Sequence, residues 1–468
     1  MEKLYSLSPI DGRYHLKVDE LRDYFSELSL INHRIYVECE YFIFLIHYLH
    51  SKKKLDKNLS KKEIDEIREI YKYKDKNAFE VKKIEFLGDK NIKPTNHDVK
   101  AVEYYLKKNF SKKIKNNIEF VHFGLTSEDV NNISYSIMIS RFIKEIYLPQ
   151  IGLLLNSLSK FINKYYAAPF PARTHGQIAS STTFGKEIKV FYERIRRKRN
   201  LIKNDVLSVK LNGAVGNYNS FFAAYPEINW IDFTKKFIRY LSHNLKIELK
   251  TNLFTTQIEN HDSWVELFDD IKHMNSILIG FSQDIWRYIS DEFLCLKPVD
   301  GEVGSSTMPH KINPINFENA EGNFQIANSL FELFSAKLPI SRLQRDLTDS
   351  TVERNIGVAF AHTIIAVKSL IEGLSKIDLD EAKALKIIKS HPEVYSEAIQ
   401  TILRKYGFKE AYEELKKLTR GNKVTEKELE NFVEKLNITE KAKKEIKYVL
   451  LKPYTGIADK LAIYKTEE

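Results

Sequence analysis

Residues 304–314 concentrate side chains that could do chemistry on an anionic molecule. They read Gly-Ser-Ser-Thr-Met-Pro-His-Lys-Ile-Asn-Pro and follow Asp300-Gly301-Glu302, a stretch with the composition of a flexible loop. Adjacent hydroxyls, a cation and a side-chain amide in a glycine-flanked loop can close over an anion and exclude water. A surface loop with incidental serines would have the same composition, so the residue types alone leave both interpretations open.

The order of these residues resembles the signature loop of the superfamily that contains fumarase, aspartase and argininosuccinate lyase. All the positions that define that loop are present in residues 304–314. Members of the superfamily remove a proton next to a carboxylate and expel a group from the neighbouring carbon, which leaves fumarate. The resemblance therefore implies a fumarate-releasing elimination, whereas the leaving group must be identified from other parts of the chain.

Six further motifs resemble adenylosuccinate lyases of the bacterial type and follow the order of that family. They are Ser8-Pro9-Ile10-Asp11-Gly12-Arg13-Tyr14, Asn96-His97-Asp98, Thr126-Ser127-Glu128-Asp129, Arg173-Thr174-His175-Gly176-Gln177, Thr256-Gln257 and Gln344-Arg345-Asp346-Leu347-Thr348-Asp349-Ser350. The similarity covers nearly the whole chain and implies succinylated purine ribotides as substrates. At one position the chain departs from the family, because Ile178 stands where proline is usual, and we expect a less rigid turn there.

An elimination that expels a purine amine needs an acid at the leaving nitrogen and a base at the succinyl carbon. The resemblance assigns the acid to His175 and the base to Ser305, with Ser306 as the other hydroxyl that could act as the base. Imidazole, with an unperturbed pKa of about 6.5, can donate a proton near neutrality. A hydroxyl becomes a base only where its alkoxide is stabilised, which Lys311 could do. Glu318 resembles the carboxylate that orients the imidazole.

The same resemblance assigns the substrate contacts. For the succinyl carboxylates they are Thr126, Ser127, Ser306, Lys311 and Asn313. A phosphate favours the guanidinium fork, and the matching positions hold Arg13, Arg345 and Arg354, with Tyr14 and Ser350 as hydrogen-bond donors. The remaining expected contacts are Asn96, His97, Asp98, Gln257, Ile312, Asn319, Thr351, Val352 and Glu353. The resemblance implies neither a cofactor nor a metal.

Long amphipathic helices are expected to position these motifs. From Trp264 to Ile289 apolar residues recur in steps of three and four, which predicts one buried stripe on a long helix. Similar stripes cover residues 151–162 and 188–206, and Ser263 three residues before Glu266 predicts a capping box. Strand signals are sparse. Glycine and proline cluster in residues 9–12, 169–176, 213–216 and 298–314, which we expect to be loops.

The sequence therefore predicts an all-α protein, and the resemblance adds the long-helix bundle of the fumarase/aspartase superfamily with smaller helical domains at both ends. The expected domains are residues 1–112, 113–365 and 366–468. A helix of about 25 residues is about 38 Å long, more than a compact domain usually needs, which favours packing against other subunits. The resemblance implies a homotetramer in which three subunits build each site.

Composition limits the compartment and the partners. Cys39 and Cys295 do not form a C-x-x-C pair, which argues against a disulfide framework or a zinc site. Residues 1–9 lack a signal-peptide pattern, and the longest apolar run, residues 41–49, is shorter than the roughly 20 residues that span a bilayer. We therefore expect a cytoplasmic protein without a membrane partner.

The net charge of +10 by itself fits nucleic acid, an acidic surface or a small anionic substrate. Lysine pairs such as Lys61 and Lys62 alternate with acids, which predicts solvated helix faces, and we expect no nucleic-acid partner. A basic cluster between Arg194 and Arg199 also lies on a helical pattern, and we likewise expect it to be a solvated helix face.

Four alternatives remain open at this point. A sister lyase acting on argininosuccinate, fumarate or aspartate shares the signature loop but does not need the phosphate contacts of residues 8–14 and 350–354. A cycloisomerase of the same superfamily is the second. The third is a binding or structural protein that has lost activity, although retention of His175 and Ser305 argues against it. The fourth, a basic RNA-binding module, would bind with a steep salt dependence.

Overall fold

The computed structural model describes residues 2–111, 114–298, 308, 310–421, 424–451 and 453–465, and helices dominate these ranges. They are α1 His15–Val18, α2 Arg22–Phe25, α3 Glu27–Ser51, α4 Lys61–Ile70, α5 Lys74–Phe86, α6 Asp98–Asn109, α7 Ser127–Phe142, α8 Leu148–Tyr165, α9 Phe184–Asn204, α10 Asn219–Ala224, α11 Trp230–Leu245, α12 Asp262–Ser290, α13 Ile315–Lys337, α14 Thr348–Glu353, α15 Ile356–Ser375, α16 Glu381–Lys389, α17 Ser396–Lys405, α18 Ala411–Thr419, α19 Glu426–Lys435, α20 Glu440–Leu450 and α21 Ala458–Ile463. The prediction of an all-α protein is confirmed.

Within the described ranges, short strands form three two-stranded sheets. The strands are β1 Pro169–Thr174, β2 Gln177–Thr183, β3 Leu207–Val209, β4 Leu249–Thr251, β5 Leu294–Leu296 and β6 Ile377–Leu379. β1 and β2 are antiparallel, β3 and β4 are parallel, and β5 and β6 are antiparallel. None of these sheets is large enough to provide a core face, so the helices carry the packing.

The predicted long helices are present. The stripe that begins at Trp264 lies in α12, where Trp264, Phe268 and Phe281 are buried. The stripes of residues 151–162 and 188–206 lie in α8 and α9, apart from the last two residues, which follow the end of α9. A π-helical turn over Ile143–Tyr147 joins α7 to α8, so the chain is helical from residue 127 to residue 165.

The predicted capping box at Ser263 is wrong. Helix α12 already begins at Asp262, and Ser263 Oγ accepts a hydrogen bond from the Ser208 amide at 2.8 Å. The hydroxyl therefore holds β3 against the start of the helix. The local capping-box pattern failed as a prediction because the Ser263 hydroxyl accepts its hydrogen bond from Ser208, which is distant in sequence.

Residues 169–176, expected to be a loop, mostly form strand β1. β1 and β2 are separated only by His175 and Gly176, and both of these residues have left-handed backbones, with φ of 52° and 76°. A two-residue turn with two positive φ angles is the type I′ hairpin turn, whose twist matches that of the flanking strands. Pro169 and Pro171 are tolerated because a two-stranded ribbon leaves one edge of each strand unpaired.

The chain divides into two compact units. Unit 1 comprises residues 1–150, 198–276 and 323–366, and unit 2 comprises residues 151–197, 277–322 and 367–468. Unit 1 contains a core built from residues 28–121, including Ile35, Phe42 and Leu106. Unit 2 contains a core centred on the C-terminal helices α17 to α20, including Leu429 and Ile446. The three-domain division at residues 112 and 365 stays a prediction.

One helical stretch, Thr348–Ser375, is long and apolar enough to cross a membrane by length and composition alone. However, 72% of its most apolar window is buried inside the protein, as in the core helix of a globular domain. The length and composition of this stretch are therefore only weak support for a membrane span.

Candidate active site

His175 occupies the tip of the hairpin formed by β1 and β2 in unit 2, and its side chain is exposed. Arg173 braces the turn, because its Nη1 donates to the Gly176 carbonyl at 3.2 Å. Its Nε also lies 3.6 Å from Asp291 Oδ2, and Arg287 Nη2 lies 3.2 Å from Asp291 Oδ1. The short turn thus presents an imidazole outward on a braced support.

Ile178 lies directly after this turn, opposite Arg173 in the hairpin register. Its half-buried side chain packs against the C-terminal core of unit 2. The second strand of the hairpin is therefore held by apolar packing at the position where the family usually has proline.

Glu318, the expected orienting carboxylate, lies in the first turn of α13 and is exposed. Its Oε1 accepts a hydrogen bond from Trp286 Nε1 at 3.0 Å. Within the described part of one chain, no hydrogen bond or ion pair joins Glu318 to His175. The orienting role of Glu318 stays a prediction.

The signature loop is described only in part. Ser305 and Ser306 lie outside the described residues, whereas Lys311 and Ile312 are exposed and Asn313 is half-buried. The Lys311 amide donates to the Met308 carbonyl at 3.1 Å, just before α13 begins. Further along, Asn319 Oδ1 accepts a hydrogen bond from Ser369 Oγ at 2.8 Å. The C-terminal end of the loop therefore presents a lysine at the start of a long helix.

In unit 1, Arg345 connects three motifs that are far apart in sequence. Its Nη1 donates to Gln257 Oε1 at 3.3 Å, and its Nη2 donates to Glu128 Oε1 at 3.2 Å. Glu128 directly follows Ser127, and the Gln257 amide donates to the Gln344 carbonyl at 3.4 Å. The structure thus brings together residues 126–128, 256–257 and 344–345, the segments that contain the expected substrate contacts Thr126, Ser127, Gln257 and Arg345.

The turn at Thr126 and Ser127 starts α7 and is fixed by Asp129, whose Oδ2 accepts the Thr126 amide at 2.9 Å. Asp129 Oδ1 accepts the Asn212 amide at 3.0 Å, and Oδ2 accepts the Gly213 amide at 3.1 Å. Asp129 therefore joins this turn to the glycine-rich loop of residues 213–216. No pattern in the sequence indicates that these two segments meet.

Asp98 lies between two arginines at the start of α6. Its Oδ2 lies 2.8 Å from Arg34 Nη1 and 3.5 Å from Arg354 Nη2. Burial tends to raise the pKa of Asp98, but Arg34, the Val99 amide and Arg354 outweigh burial and hold that pKa below its usual range. The carboxylate is therefore ionised and links the motif of residues 96–98 to the end of α14.

The two residues before Asp98 shape the start of α6. The exposed His97 caps the helix, since its Nδ1 accepts the Lys100 amide at 3.2 Å. Asn96 has a left-handed backbone with φ of 46° and donates its amide to the Glu85 carbonyl at 3.0 Å. Both side chains lie at the surface of the single chain.

The N-terminal motif borders a cavity of about 220 Å³. Ser8, Asp11 and Arg354 are among its lining residues, so residues 8–14 and 350–354 meet in unit 1. Arg13 is exposed, and Tyr14 is half-buried. The two segments expected to hold the phosphate are therefore neighbours.

Helix α14 carries the last group of expected contacts. Asp349 Oδ1 accepts the Ser350 amide at 2.6 Å, and Thr351 is exposed whereas Val352 is half-buried. Glu353 is buried, and its Oε1 lies 3.2 Å from His261 Nε2. Glu353 is thus engaged inside the protein, away from solvent.

Three buried carboxylates, Glu128, Asp349 and Glu353, lie with oxygens within 4.8 Å of one another. Burial, reinforced by the charge of Glu353, raises the pKa of Glu128, and burial also raises that of Asp349. Burial works to lower the pKa of His261, but the hydrogen bond and charge of Glu353 raise it above the usual value. Such a cluster could hold a cation, yet Arg345 and His261 already supply positive charge to it. We interpret it as the ion-pair network that fixes Arg345.

Comparisons with known proteins agree with these motifs. Residues 12–326 match the family described as Lyase, and residues 341–455 match the adenylosuccinate lyase C-terminal family. A relative from Dictyostelium discoideum named adenylosuccinate lyase is 46% identical over 98% of this chain and 97% of its own length. Relatives with the same name from Buchnera aphidicola and Escherichia coli are 43% and 39% identical, with 98% of both chains covered.

Solved structures show the same fold. A 3-carboxy-cis,cis-muconate lactonizing enzyme from Pseudomonas putida superposes with a TM-score of 0.70 at 17% identity, covering 95% of each chain. A fumarate lyase from Mesorhizobium superposes with a TM-score of 0.72 at 15% identity, covering 95% of this chain and 96% of the other. The expected superfamily fold is confirmed, and the protein is a lyase by family. Because its relatives match over nearly the full length, the chain belongs to the adenylosuccinate lyase family.

Proposed function

We propose that the protein eliminates fumarate from adenylosuccinate, giving AMP, and from succinylaminoimidazole carboxamide ribotide, giving the aminoimidazole carboxamide ribotide. This would make it a carbon–nitrogen lyase of purine biosynthesis. The observation that carries the proposal is the position of Arg345, which holds the Ser127, Gln257 and Gln344 motifs together in unit 1. These motifs belong to the family whose named members are 39–46% identical to this chain.

In the proposed reaction His175 protonates the leaving nitrogen, and Ser305 removes the proton from the succinyl carbon. The exposed position of His175 on a braced hairpin supports the role of the acid, because a proton donor must reach the substrate without rearranging its own support. An acid and a base contribute about 10²–10⁴-fold each. Lys311 would stabilise the Ser305 alkoxide, and Ser306 is the alternative base.

The anionic parts of the substrate would bind at two places. A succinyl carboxylate at Thr126 and Ser127 would face the N-terminus of α7, where the helix dipole places partial positive charge. The phosphate would bind near Arg13 and Arg354, beside the cavity that joins residues 8–14 to residues 350–354. Donors fixed at the developing charge each contribute about 10²–10³-fold.

We further propose a cytoplasmic homotetramer whose sites are shared between subunits. Large apolar side chains on the long helices stay exposed in the single chain, among them Leu153 at 52%, Ile326 at 48% and Leu333 at 47%. Ile326 and Leu333 are seven residues apart on α13 and so lie on one face. A long helix face with exposed leucine and isoleucine is expected to pack against another subunit.

An ultraviolet assay of fumarate release tests the reaction. We expect turnover of both succinylated ribotides, undiminished by a chelator, and no turnover of argininosuccinate. Release of fumarate from argininosuccinate alone would favour the sister lyase and overturn the proposed substrate.

The shared site is tested by mixing two inactive variants. His175→Asn removes the imidazole but keeps a residue that tolerates the left-handed backbone, and Ser305→Ala removes the proposed base. Each is expected to lower the turnover number by at least about a hundredfold. After dissociation and reassembly of the mixture, activity should partly return, because some sites would contain both intact residues. No recovery despite demonstrated subunit exchange would contradict shared sites.

A further inference from the structure

A second cavity in unit 1 is lined by residues other than those assigned to the substrate. Its volume is about 680 Å³, within the range of small-molecule pockets. Its walls come from the π-helical turn, the start of α8, the C-terminal end of α9, the segment that follows α11 and one residue of α12. Described lining residues include none of the family motifs.

Four cationic side chains and two carboxylates line this cavity: Lys144, Arg199, Lys203 and Lys246, with Asp205 and Glu248. Among the described residues, none of the four cations forms an ion pair with a carboxylate. Lys144 and Arg199 donate instead to the backbone carbonyls of Lys246 and Leu148. The cations outnumber the carboxylates at this cavity and are not neutralised in ion pairs, which favours an anion.

Neighbouring cations on the same helix are neutralised. Lys198 Nζ lies 2.6 Å from Asp270 Oδ1, and Arg196 Nε lies 2.9 Å from Glu193 Oε2. The lack of ion pairs at Arg199 and Lys203 thus does not extend to the whole of α9.

Asp205 also lines the cavity. Its Oδ2 is buried and accepts no hydrogen bond from any described residue. Burial, together with the charges of Asp270 and Glu266, raises the pKa of Asp205 to about 6. Buried acceptors normally have a donor, and the ammonium of Lys198 is already engaged by Asp270. Oδ2 itself is closed off from solvent, so a ligand with hydroxyl groups would reach this carboxylate through Oδ1.

We propose that this cavity binds a small phosphomonoester that carries sugar hydroxyls, with the phosphate at Arg199 and Lys203 and the hydroxyls at Asp205. Apolar side chains such as Ile143, Leu148 and Ile202 would face the carbon skeleton. Ribose 5-phosphate and AMP share this chemistry. The binding is additional to the elimination and does not depend on it.

Isothermal titration of the full-length oligomer with ribose 5-phosphate tests the proposal. We expect the double variant Arg199→Met, Lys203→Met to bind at least tenfold more weakly, with fumarate release in the absence of ribose 5-phosphate unchanged. The matched control on the same helix is Arg194→Met, Arg197→Met, which removes two exposed cations that do not line the cavity. Equal affinity in both double variants, or no binding to the unaltered oligomer, would overturn the proposal.

Two further comparisons define the ligand. Asp205→Asn should weaken ribose 5-phosphate at least fivefold and leave inorganic phosphate unchanged, because only the sugar offers hydroxyls. An equal effect on both would overturn the role of Asp205. A cavity-dependent affinity for AMP above that for ribose 5-phosphate would identify a nucleotide site, and equal affinities would identify a site for the sugar phosphate alone. Because the readout is binding, a protein inactive on succinylated ribotides would refute the proposed reaction without affecting this result.

Discussion

Lys210 Nζ lies 2.7 Å from Asp129 Oδ1, and neither side chain is accessible to solvent. The carboxylate also accepts the amides of Thr126, Asn212 and Gly213, while Lys210 Nζ donates to the Gly213 carbonyl at 3.1 Å. A buried ion pair is tolerated only where further hydrogen bonds offset the cost of removing the charges from water. Here those bonds are made by the backbone of two segments near the proposed site.

Asp129→Asn should destabilise the protein more than Lys210→Met does. The first change leaves the Lys210 ammonium buried without its counter-charge, which costs about 3–5 kcal/mol. The second leaves Asp129 with three amide donors. Urea unfolding gives both free energies. The double variant should recover part of the loss, and equal losses in the two single variants would contradict this account.

Arg345→Lys should raise KM for adenylosuccinate by roughly 10- to 100-fold. A lysine keeps the charge but lacks the guanidinium fork whose two separate nitrogens reach Gln257 and Glu128, and a hydrogen bond to a charged group contributes about 1.5–3 kcal/mol. Steady-state kinetics measure the change. Arg342→Lys is the matched control, because Arg342 is 80% exposed and lies 3.6 Å from Asp346. Unchanged KM in Arg345→Lys would remove Arg345 from substrate binding.

Gly216→Ala should destabilise the glycine-rich loop. Gly216 has a φ of 82°, and an added Cβ would lie 2.1 Å from the Thr255 carbonyl oxygen. The backbone of one of the two segments must therefore move to accommodate alanine. We expect a loss of at least about 2 kcal/mol in the free energy of unfolding. Gly280→Ala in α12 is the control, since its Cβ would meet no atom within 4 Å and alanine stabilises a helix by about 1 kcal/mol. Similar effects at both positions would contradict the proposed clash.

Acid should destabilise the protein partly through His33 in α3. Its Nδ1 donates to the Ser29 carbonyl at 2.8 Å, and burial lowers the pKa of His33 to about 4. Between pH 6.5 and pH 4 the His33 imidazole is therefore protonated in the unfolded chain but neutral in the folded protein. The free energy of unfolding consequently falls as the pH falls.

His33→Gln should reduce that acid-dependent loss by about 2 kcal/mol between pH 7 and pH 4.5. Urea unfolding at several pH values measures it, with His243→Gln at an exposed position of α11 as the control. If wild type and His33→Gln lose stability in parallel as the pH falls, the His33 imidazole does not contribute to the acid-dependent loss.

The sequence predicted the long helices because their apolar residues keep helical spacing over many turns, as in α12 from Trp264 onward. It missed the hairpin around His175. Two prolines and a glycine in this segment are typical of loops. The alternation of polar and apolar residues in two short strands that pair only with each other is too weak to outweigh that signal.

The candidate site was only partly predictable. Motif similarity located Arg345 and Gln257, and the structure joins them by a hydrogen bond. The partners that fix this region, Asp129 with Lys210 and Glu353 with His261, are separated by about 80 to 90 positions in the chain. A single sequence contains no local pattern that pairs residues at such separations, so these contacts are apparent only in the folded structure.

The core of residues 28–121 in unit 1 has a consequence for the order in which the protein forms during synthesis. All its members come from one uninterrupted stretch at the start of the chain. Contacts between residues close in sequence form quickly, and domains tend to form from the N-terminus as the ribosome releases them. This core can therefore form before the segments around Gln257 and Arg345 have been synthesised, so that those later segments assemble on a scaffold that already exists.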